Sequence, residues 1–257
     1  MTLLTPRLIE FLEARTGILL KPGRQQLIET RISELCRLYE IRGPENLIQR
    51  CDNPEFYNEL LTCLTVNETL WFRDDHPFGF VLEYLSSRAA PVRIWSAACA
   101  TGQEPYSLAI LLKEAGLSKG VSILGTDLDP EAIKTAQKGA YDSFSIARGL
   151  SEDLRRRYFE SRGREYVLNE EIRRMVEFRQ HNLLDRSPRG PFDLVLLRNV
   201  LIYFGQPTRT KVAEHISFCL TGGGVLLLGA SETAVGLHPE LKLKSQKKTI
   251  YFEKITT

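Results

Sequence analysis

The segment Ile94-Trp95-Ser96-Ala97-Ala98-Cys99-Ala100-Thr101-Gly102-Gln103-Glu104-Pro105-Tyr106-Ser107 constrains the fold more than any other part of this chain. An apolar strand from Val92 to Trp95 tightens into a run of small residues that lets backbone approach a ligand. It then enters a helix near Gln103 to Pro105, where a proline suits the first turn. Further on, Ile123-Leu124-Gly125-Thr126-Asp127-Leu128-Asp129 is a second apolar strand that ends in acid. In a doubly wound sheet, a carboxylate at the carboxyl end of the second strand, beside the loop after the first, holds a ribose. Two vicinal hydroxyls need an ionised acceptor. Asp127 is that candidate.

The ligand is narrowed by what the loop lacks. A dinucleotide site wants Gly-x-Gly-x-x-Gly, so that a pyrophosphate can sit on the helix N-terminus, and a P-loop wants Gly-Lys-Ser/Thr. Here a single Gly102 is followed by an acid, Glu104, at the helix start. That charge repels a phosphate and pairs with a cationic amino group. S-adenosylmethionine meets these demands, having a ribose, an adenine, an ammonium and a sulfonium but no phosphate. A small-residue turn before a helix also occurs for packing alone, so the loop by itself is only moderately specific.

Further motifs add weight. Thr65-Val66-Asn67-Glu68-Thr69-Leu70-Trp71-Phe72-Arg73-Asp74 precedes the first strand, and Phe192-Asp193-Leu194-Val195-Leu196-Leu197-Arg198-Asn199-Val200-Leu201-Ile202-Tyr203-Phe204 stands at the place of the fourth. Arg148-Gly149-Leu150, Asn182-Leu183, Gly222-Gly223-Gly224 and Gly229-Ala230-Ser231-Glu232 complete the set. In this order, and almost end to end, the chain resembles the CheR-type chemotaxis receptor methyltransferases, which esterify glutamates on the cytoplasmic helices of bacterial chemoreceptors.

The resemblance implies roles residue by residue. Asn67, Thr69 and Arg73 match positions lining the methionine end of S-adenosylmethionine and the reaction centre. Glu104 matches the acid that receives the amino group, and Asp127 the one that binds the ribose. Asn182 and Leu183 match adenine contacts, and Arg198 and Asn199 match residues at a strand end beside the cofactor. Tyr203 matches the aromatic facing the methyl group, so Arg73 and Tyr203 are the expected catalytic pair. Ala100 and Gln103 depart from the family, which commonly has Ser and Glu there; neither removes a residue given a role.

Composition agrees with a folded enzyme. The chain has 257 residues, 43% of them hydrophobic and 26% charged, which excludes a disordered chain. No apolar run approaches the ~20 residues that span a bilayer, and Met1 to Pro6 lacks the basic start of a secretory signal, so a cytoplasmic location without membrane insertion is expected. The 5 cysteines show no Cys-x-x-Cys spacing, so no disulfide framework and no metal site is expected. Cys99 lies in the cofactor loop, yet methyl transfer to a carboxylate needs no enzyme nucleophile. A net charge of +2 argues against a nucleic-acid binder. Lys21, Arg24 and Arg31 along one helix, and Arg155, Arg156, Arg157, Arg162 and Arg164 later, read first as solvated faces. The resemblance suggests that the first group meets the acidic methylation region of a receptor.

The expected architecture is an α/β class I methyltransferase. It comprises a mostly parallel, Rossmann-like sheet with an antiparallel C-terminal edge, a small all-α domain before it, and a small antiparallel β insertion. Residues 1–64 read as short helices, with Thr5-Pro6 opening the first and Gly17 ending it, and residues 65–75 as a connecting segment lining the active site. Residues 76–257 read as the methyltransferase domain, with strands near 92–96, 121–126, 194–198 and 224–229. Within it, residues 151–181 read as the insertion, with short strands at Tyr166 to Leu168 and Val176 to Gln180. Some members of the family grip a tethering receptor peptide there; the short Ser161-Arg162-Gly163-Arg164 loop points to an enzyme that works without one.

A glutamate side chain, with a pKa near about 4.3, is already ionised at neutral pH and needs no general base. Arg73 is expected to align charge at the reaction centre, the structural alternative being a salt bridge to Asp74 or Asp75. The expected partners are chemoreceptor helices, and a monomer is the default. A non-catalytic S-adenosylmethionine-binding adaptor and a small-molecule carboxyl methyltransferase remain as alternatives. The adaptor would tolerate loss of Arg73 and Tyr203.

Overall fold

The computed structural model describes residues 3–186, 188 and 190–255, and the side chains of all of these but Asp75 and His76. Met1 and Thr2, from the stretch considered for targeting, lie outside the described residues. The chain opens with four helices, α1 (Pro6–Thr16), α2 (Pro22–Leu38), α3 (Pro44–Arg50) and α4 (Pro54–Leu64). Each begins on a proline, whose missing N–H costs nothing in the first turn. Thr5 and Asn53 cap the first and last by accepting from Leu8 and Phe56 N–H. Gly17 ends α1 in the left-handed conformation, φ 73°, its N–H returning to Glu13 O at 2.7 Å.

After an irregular segment come α5 (Asp75–Ser86), β1 (Val92–Ala97), α6 (Gln103–Glu114), β2 (Val121–Asp127), α7 (Pro130–Lys138), β3 (Ala140–Asp142), α8 (Ser143–Ala147) and α9 (Glu152–Tyr158). Then follow β4 (Phe159–Arg162), β5 (Glu165–Leu168), α10 (Glu170–Arg173), β6 (Val176–Gln180), β7 (Phe192–Leu197), a 3-10 turn (Leu201–Tyr203), α11 (Gln206–Cys219), β8 (Leu220–Leu228), β9 (Leu241–Gln246) and β10 (Thr249–Lys254). The main sheet has the order β6-β2-β1-β7-β8-β10-β9, parallel from β6 to β8, with β10 antiparallel beside β8. The chain leaves β1 towards β2 and later returns to β7 on its other side. The crevice outside the carboxyl ends of these strands is therefore the switch point at which such sheets bind ligands.

One expectation needs correction. Val176–Gln180 is not part of the small sheet: it is the parallel edge strand of the main sheet, in register with Ile123–Asp127. The reason is packing. Gly125 has no side chain, and the Phe178 ring fills that space, within 2.7 Å of where a Cβ would stand. The small antiparallel sheet has the order β3-β5-β4 and recruits Ala140–Asp142 from before the expected insertion.

Apolar side chains gather on both faces of the main sheet. On one, Leu8, Leu12, Ile28 and Leu60 of the N-terminal helices join Trp95, Phe192, Val195, Ile216 and Phe252 in one continuous cluster. On the other, Phe78, Val81, Tyr106, Leu112, Ile133 and Leu227 pack with the aromatic residues of the small sheet. Trp71 anchors the irregular segment to this second cluster. It is 1% exposed and meets Tyr141 and Phe159 edge to face, at 5.1 and 5.2 Å. Its N–H donates to Arg148 O at 3.1 Å, and Phe72 N–H donates to Ser107 Oγ at 3.0 Å.

Gly149 makes that seating possible, since it adopts φ +96° and a Cβ there would lie 2.1 Å from Trp71 O. Gly149→Ala is expected to destabilise the protein by more than about 2 kcal/mol. A urea titration checks this; a midpoint equal to that of the wild type would contradict the packing described.

Candidate functional site

The loop after β1 is built from left-handed backbone. Ala98, Ala100 and Gly102 have φ 62°, 48° and 94°. For alanine this conformation costs on the order of 1–2 kcal/mol per residue, so the surroundings must hold it. Ala100 N–H donates to Asp127 Oδ2 at 2.8 Å, Cys99 N–H to Thr126 O at 2.8 Å, and Tyr141 Oη to Thr101 O at 2.8 Å. Gly102 serves packing more than ligand approach: a Cβ there would stand 2.9 Å from Ala136 Cβ of α7.

Asp127 ends β2 as expected, buried, with Oδ1 accepting from Asp129 N–H at 3.0 Å. Burial pushes its pKa up to about 6, against the pull of the Asp129 and Ala100 amides and with some help from the neighbouring Asp129 charge. Each oxygen holds one amide donor and keeps capacity for a hydroxyl. Cys99 is buried beside it, and burial raises its thiol well above the ordinary value, so it is no nucleophile.

Glu104, in the first turn of α6, is held from two sides. Ser96 Oγ donates to Oε1 at 2.7 Å and Arg198 Nη1 to Oε2 at 2.8 Å. Arg198, just past β7, has a side chain only 1% exposed and also donates to Asp74 Oδ2 at 2.9 Å and to Arg73 O at 2.6 Å. Its guanidinium is thus engaged with protein atoms, and it acts on the site by positioning Glu104 and the Arg73-Asp74 backbone. The Arg73 guanidinium forms no ion pair with any described carboxylate. Asp74 belongs to Arg198, and the Asp75 side chain lies outside the described residues.

The remaining expected residues reach the same place with unequal freedom. Asn67 Nδ2 donates to Asp129 Oδ2 at 2.5 Å, tying the connecting segment to the start of α7, and Asn182 Nδ2 donates to Arg15 O at 2.7 Å, tying the segment after β6 to α1. Leu183 is buried, and His215 Nδ1 lies 3.2 Å from its carbonyl oxygen. Asn199 is left-handed, φ 59°, its N–H held by Glu232 Oε2 at 2.6 Å. The Tyr203 ring carries the Arg24 guanidinium 4.6 Å above it.

All of them converge. Asn67, Thr69, Arg73, Glu104 and Asp127 line one cavity of about 200 Å³ together with Asn182, Leu183, Arg198, Asn199 and Tyr203. Sequence reasoning passed over Asp129 and Glu232, which hold this wall. Asp129 takes donors from Thr62, Thr65 and Asn67, and Glu232 takes the N–H groups of Asn199 and Gly229. Asp129 carried a legible signal, an aspartate directly before Pro130 at a helix start. The side chains fit S-adenosylmethionine: acceptor-only carboxylates at Asp127 and Glu104 suit a ribose diol and a cationic ammonium.

Residues 67–251 match the family described as CheR methyltransferase, SAM binding domain. The chain belongs to the CheR methyltransferase family. It is 37% identical over 247 residues to a chemotaxis protein methyltransferase of Vibrio parahaemolyticus, covering 91% of this chain and 90% of that protein. It is 39% identical over 248 residues to chemotaxis protein methyltransferase Cher2 of Pseudomonas putida, covering 88% and 89%. This CheR family member is therefore an S-adenosylmethionine-dependent methyltransferase with the class I α/β fold. Among the described residues, no helix is long and apolar enough to cross a membrane.

In its expected role of ribose acceptor, Asp127 acts as the ionised carboxylate. Its native pKa lies above that of an unfolded aspartate, so its contribution to folding is present below about pH 4 and is lost as pH rises through about 6. Cofactor affinity runs the other way. Binding calorimetry should show S-adenosylmethionine affinity halved near pH 6 and falling further below it. Asp127→Asn should bind at least about tenfold more weakly without that inflection. An unchanged inflection in the variant would assign the titration elsewhere.

Proposed function

We propose that the enzyme transfers the methyl group of S-adenosylmethionine to glutamate side chains on the cytoplasmic helices of chemoreceptors, forming methyl esters. The observation that carries this reading is the division of charge around the cavity. Asp127 and Glu104 line the cavity, and so do Arg24 and Arg73. The carboxylates suit a cationic cofactor, and the guanidiniums suit an anionic acceptor and disfavour an amine.

When bound, S-adenosylmethionine supplies a methyl group on a sulfonium, and S-adenosylhomocysteine is the product. The chain's own residues supply alignment. A glutamate acceptor is ionised before it arrives, so no residue has to remove a proton. Arg73, free of ion pairs among the described residues, orients the acceptor carboxylate. Tyr203, braced by Arg24, lines the same cavity and orients the methyl group or the acceptor. Positioning of this kind is worth on the order of 7–11 kcal/mol of barrier. The other assigned residues, Asn67, Thr69, Asn182, Leu183, Arg198 and Asn199, shape the cofactor half.

In this reading residues 1–64 form the receptor-facing unit, residues 65–75 the active-site connection and residues 76–257 the methyltransferase unit, working as a monomer in the cytoplasm. Lys21 and Arg24 support it, standing at the cavity end of α2. Arg31 is engaged within the protein, its Nη1 donating to Thr65 O at 3.0 Å. Four of the second basic group are paired locally: Arg155 and Arg156 with Glu152, Arg157 with Asp153 and Glu114, and Arg162 with Glu160.

Radiolabelled methyl transfer to a receptor cytoplasmic fragment, followed by mild alkali, tests the proposal. The expected result is label released as methanol, with Arg73→Ala slowing transfer by about a hundredfold or more while S-adenosylmethionine still binds. Alkali-stable label would mean N-methylation. Binding without transfer to any receptor fragment would favour the adaptor or a small-molecule acceptor.

A further inference from the structure

The Arg148-Gly149-Leu150 motif contains a group that the reaction as described does not use. Arg148 follows α8 at the mouth of the cavity, and its Nη2 donates to Glu68 of the connecting segment at 2.7 Å. Both residues belong to the cavity wall, and both are open to solvent, the Arg148 side chain 33% and the Glu68 side chain 68% exposed.

The two partners are held very differently. Arg148 is fixed at its backbone, where its carbonyl accepts from the buried Trp71 N–H at 3.1 Å. It is fixed again at its side chain, which lies 5.4 Å over the Phe144 ring. Glu68 makes no other side-chain hydrogen bond or ion pair among the described residues. An exposed pair of this kind is worth about 0–1 kcal/mol, so another carboxylate can replace Glu68 at little cost. The Phe144 ring beside it is 69% exposed and offers apolar surface to the stem of an incoming side chain.

We infer that Arg148 is a substrate-docking residue, that it binds a carboxylate of the receptor helix other than the one being methylated, and that Glu68 is the internal carboxylate this group displaces. The inference rests on the receptor-glutamate reading and deepens it. It gives the enzyme a reason to prefer an acceptor with a second acidic side chain nearby. A planar guanidinium already braced on a ring binds carboxylate with two N–H groups and little loss of freedom. Glu68 keeps the charge of Arg148 matched while no receptor is present.

The test uses the full chain and the receptor fragment. Steady-state kinetics at saturating S-adenosylmethionine give KM and kcat for the fragment, and calorimetry gives fragment affinity without cofactor and cofactor affinity without fragment. Arg148→Ala should raise KM and weaken fragment binding about tenfold, with kcat and S-adenosylmethionine affinity within about twofold of wild type. Arg148→Lys should recover part of that loss. Glu68→Gln should lower KM, since the competing charge is gone, and Glu68→Gln combined with Arg148→Ala should behave as Arg148→Ala alone.

A rise in KM for Glu68→Gln matching that of Arg148→Ala would show a purely structural pair and overturn the inference. So would an unchanged fragment affinity in Arg148→Ala, or a loss confined to kcat. Should Arg148→Ala fail to fold, Arg148→Lys and Glu68→Gln carry the same decision. Wild-type enzyme that yields no alkali-labile label would overturn the glutamate reading itself, whereas normal label with unaffected variants would overturn only the role of Arg148.

Discussion

The carboxylate of Asp129 joins the parts of the molecule that must cooperate. Oδ1 accepts from Thr62 Oγ1 at 2.8 Å and from Glu131 N–H at 2.9 Å, and Oδ2 accepts from Thr65 Oγ1 at 2.8 Å and from Asn67 Nδ2 at 2.5 Å. One buried group thereby binds α4, the connecting segment and the start of α7. Its own N–H holds Asp127 Oδ1. A buried carboxylate is tolerated only when its acceptor capacity is filled. These donors come from segments far apart in the chain, so the charge is satisfied only when the helical region and the sheet are docked. The docked arrangement also fixes Asp129, whose amide orients Asp127.

Arg198 makes the second such junction. Two carboxylates, Glu104 and Asp74, and the Arg73 carbonyl meet its guanidinium, while its Nε has no partner among the described residues. A buried ion pair adds little net stability because desolvation opposes the Coulomb attraction, so its use here is geometric. It ties Glu104 to the backbone that carries Arg73. Non-glycine residues with left-handed backbone cluster around it: Phe72, Asp74, Ala98, Ala100 and Asn199. Such conformations persist where surrounding bonds over-determine them, and Glu232, Asp127 and Ser107 each hold one of these N–H groups.

The β-α alternation was legible because buried parallel strands are continuous apolar runs and their helices begin on prolines or caps. The edge strand at Val176–Gln180 was not. Its alternation of buried and exposed residues is equally that of a small antiparallel sheet, and only the Gly125 gap opposite Phe178 decides between them. In the site, motif matching located the cavity wall but not the bonding of each atom. Asn67 and Asn182 stand in that wall, yet their amide nitrogens serve Asp129 and the Arg15 carbonyl. Those partners are distant in sequence, and no local spacing encodes them. The same holds for Arg31, whose helical position suggested an exposed basic face until the Thr65 carbonyl claimed it.

The two polarities of the cavity differ in how they are maintained. Asp127 and Glu104 are oriented by amides, a hydroxyl and Arg198, all fixed before any ligand arrives. Arg73 is unpaired among the described residues, and Arg24 rests on an aromatic ring. The two carboxylates are thus preorganised, and the proposed acceptor side offers charge that an incoming carboxylate can complete. Arg73 and Arg24 set like charge against a protonated amine. A carboxylate needs no base and is drawn in by the guanidiniums. Under the proposed reading, selection for oxygen over nitrogen acceptors follows from where the fold places fully satisfied charge and where it leaves charge incomplete.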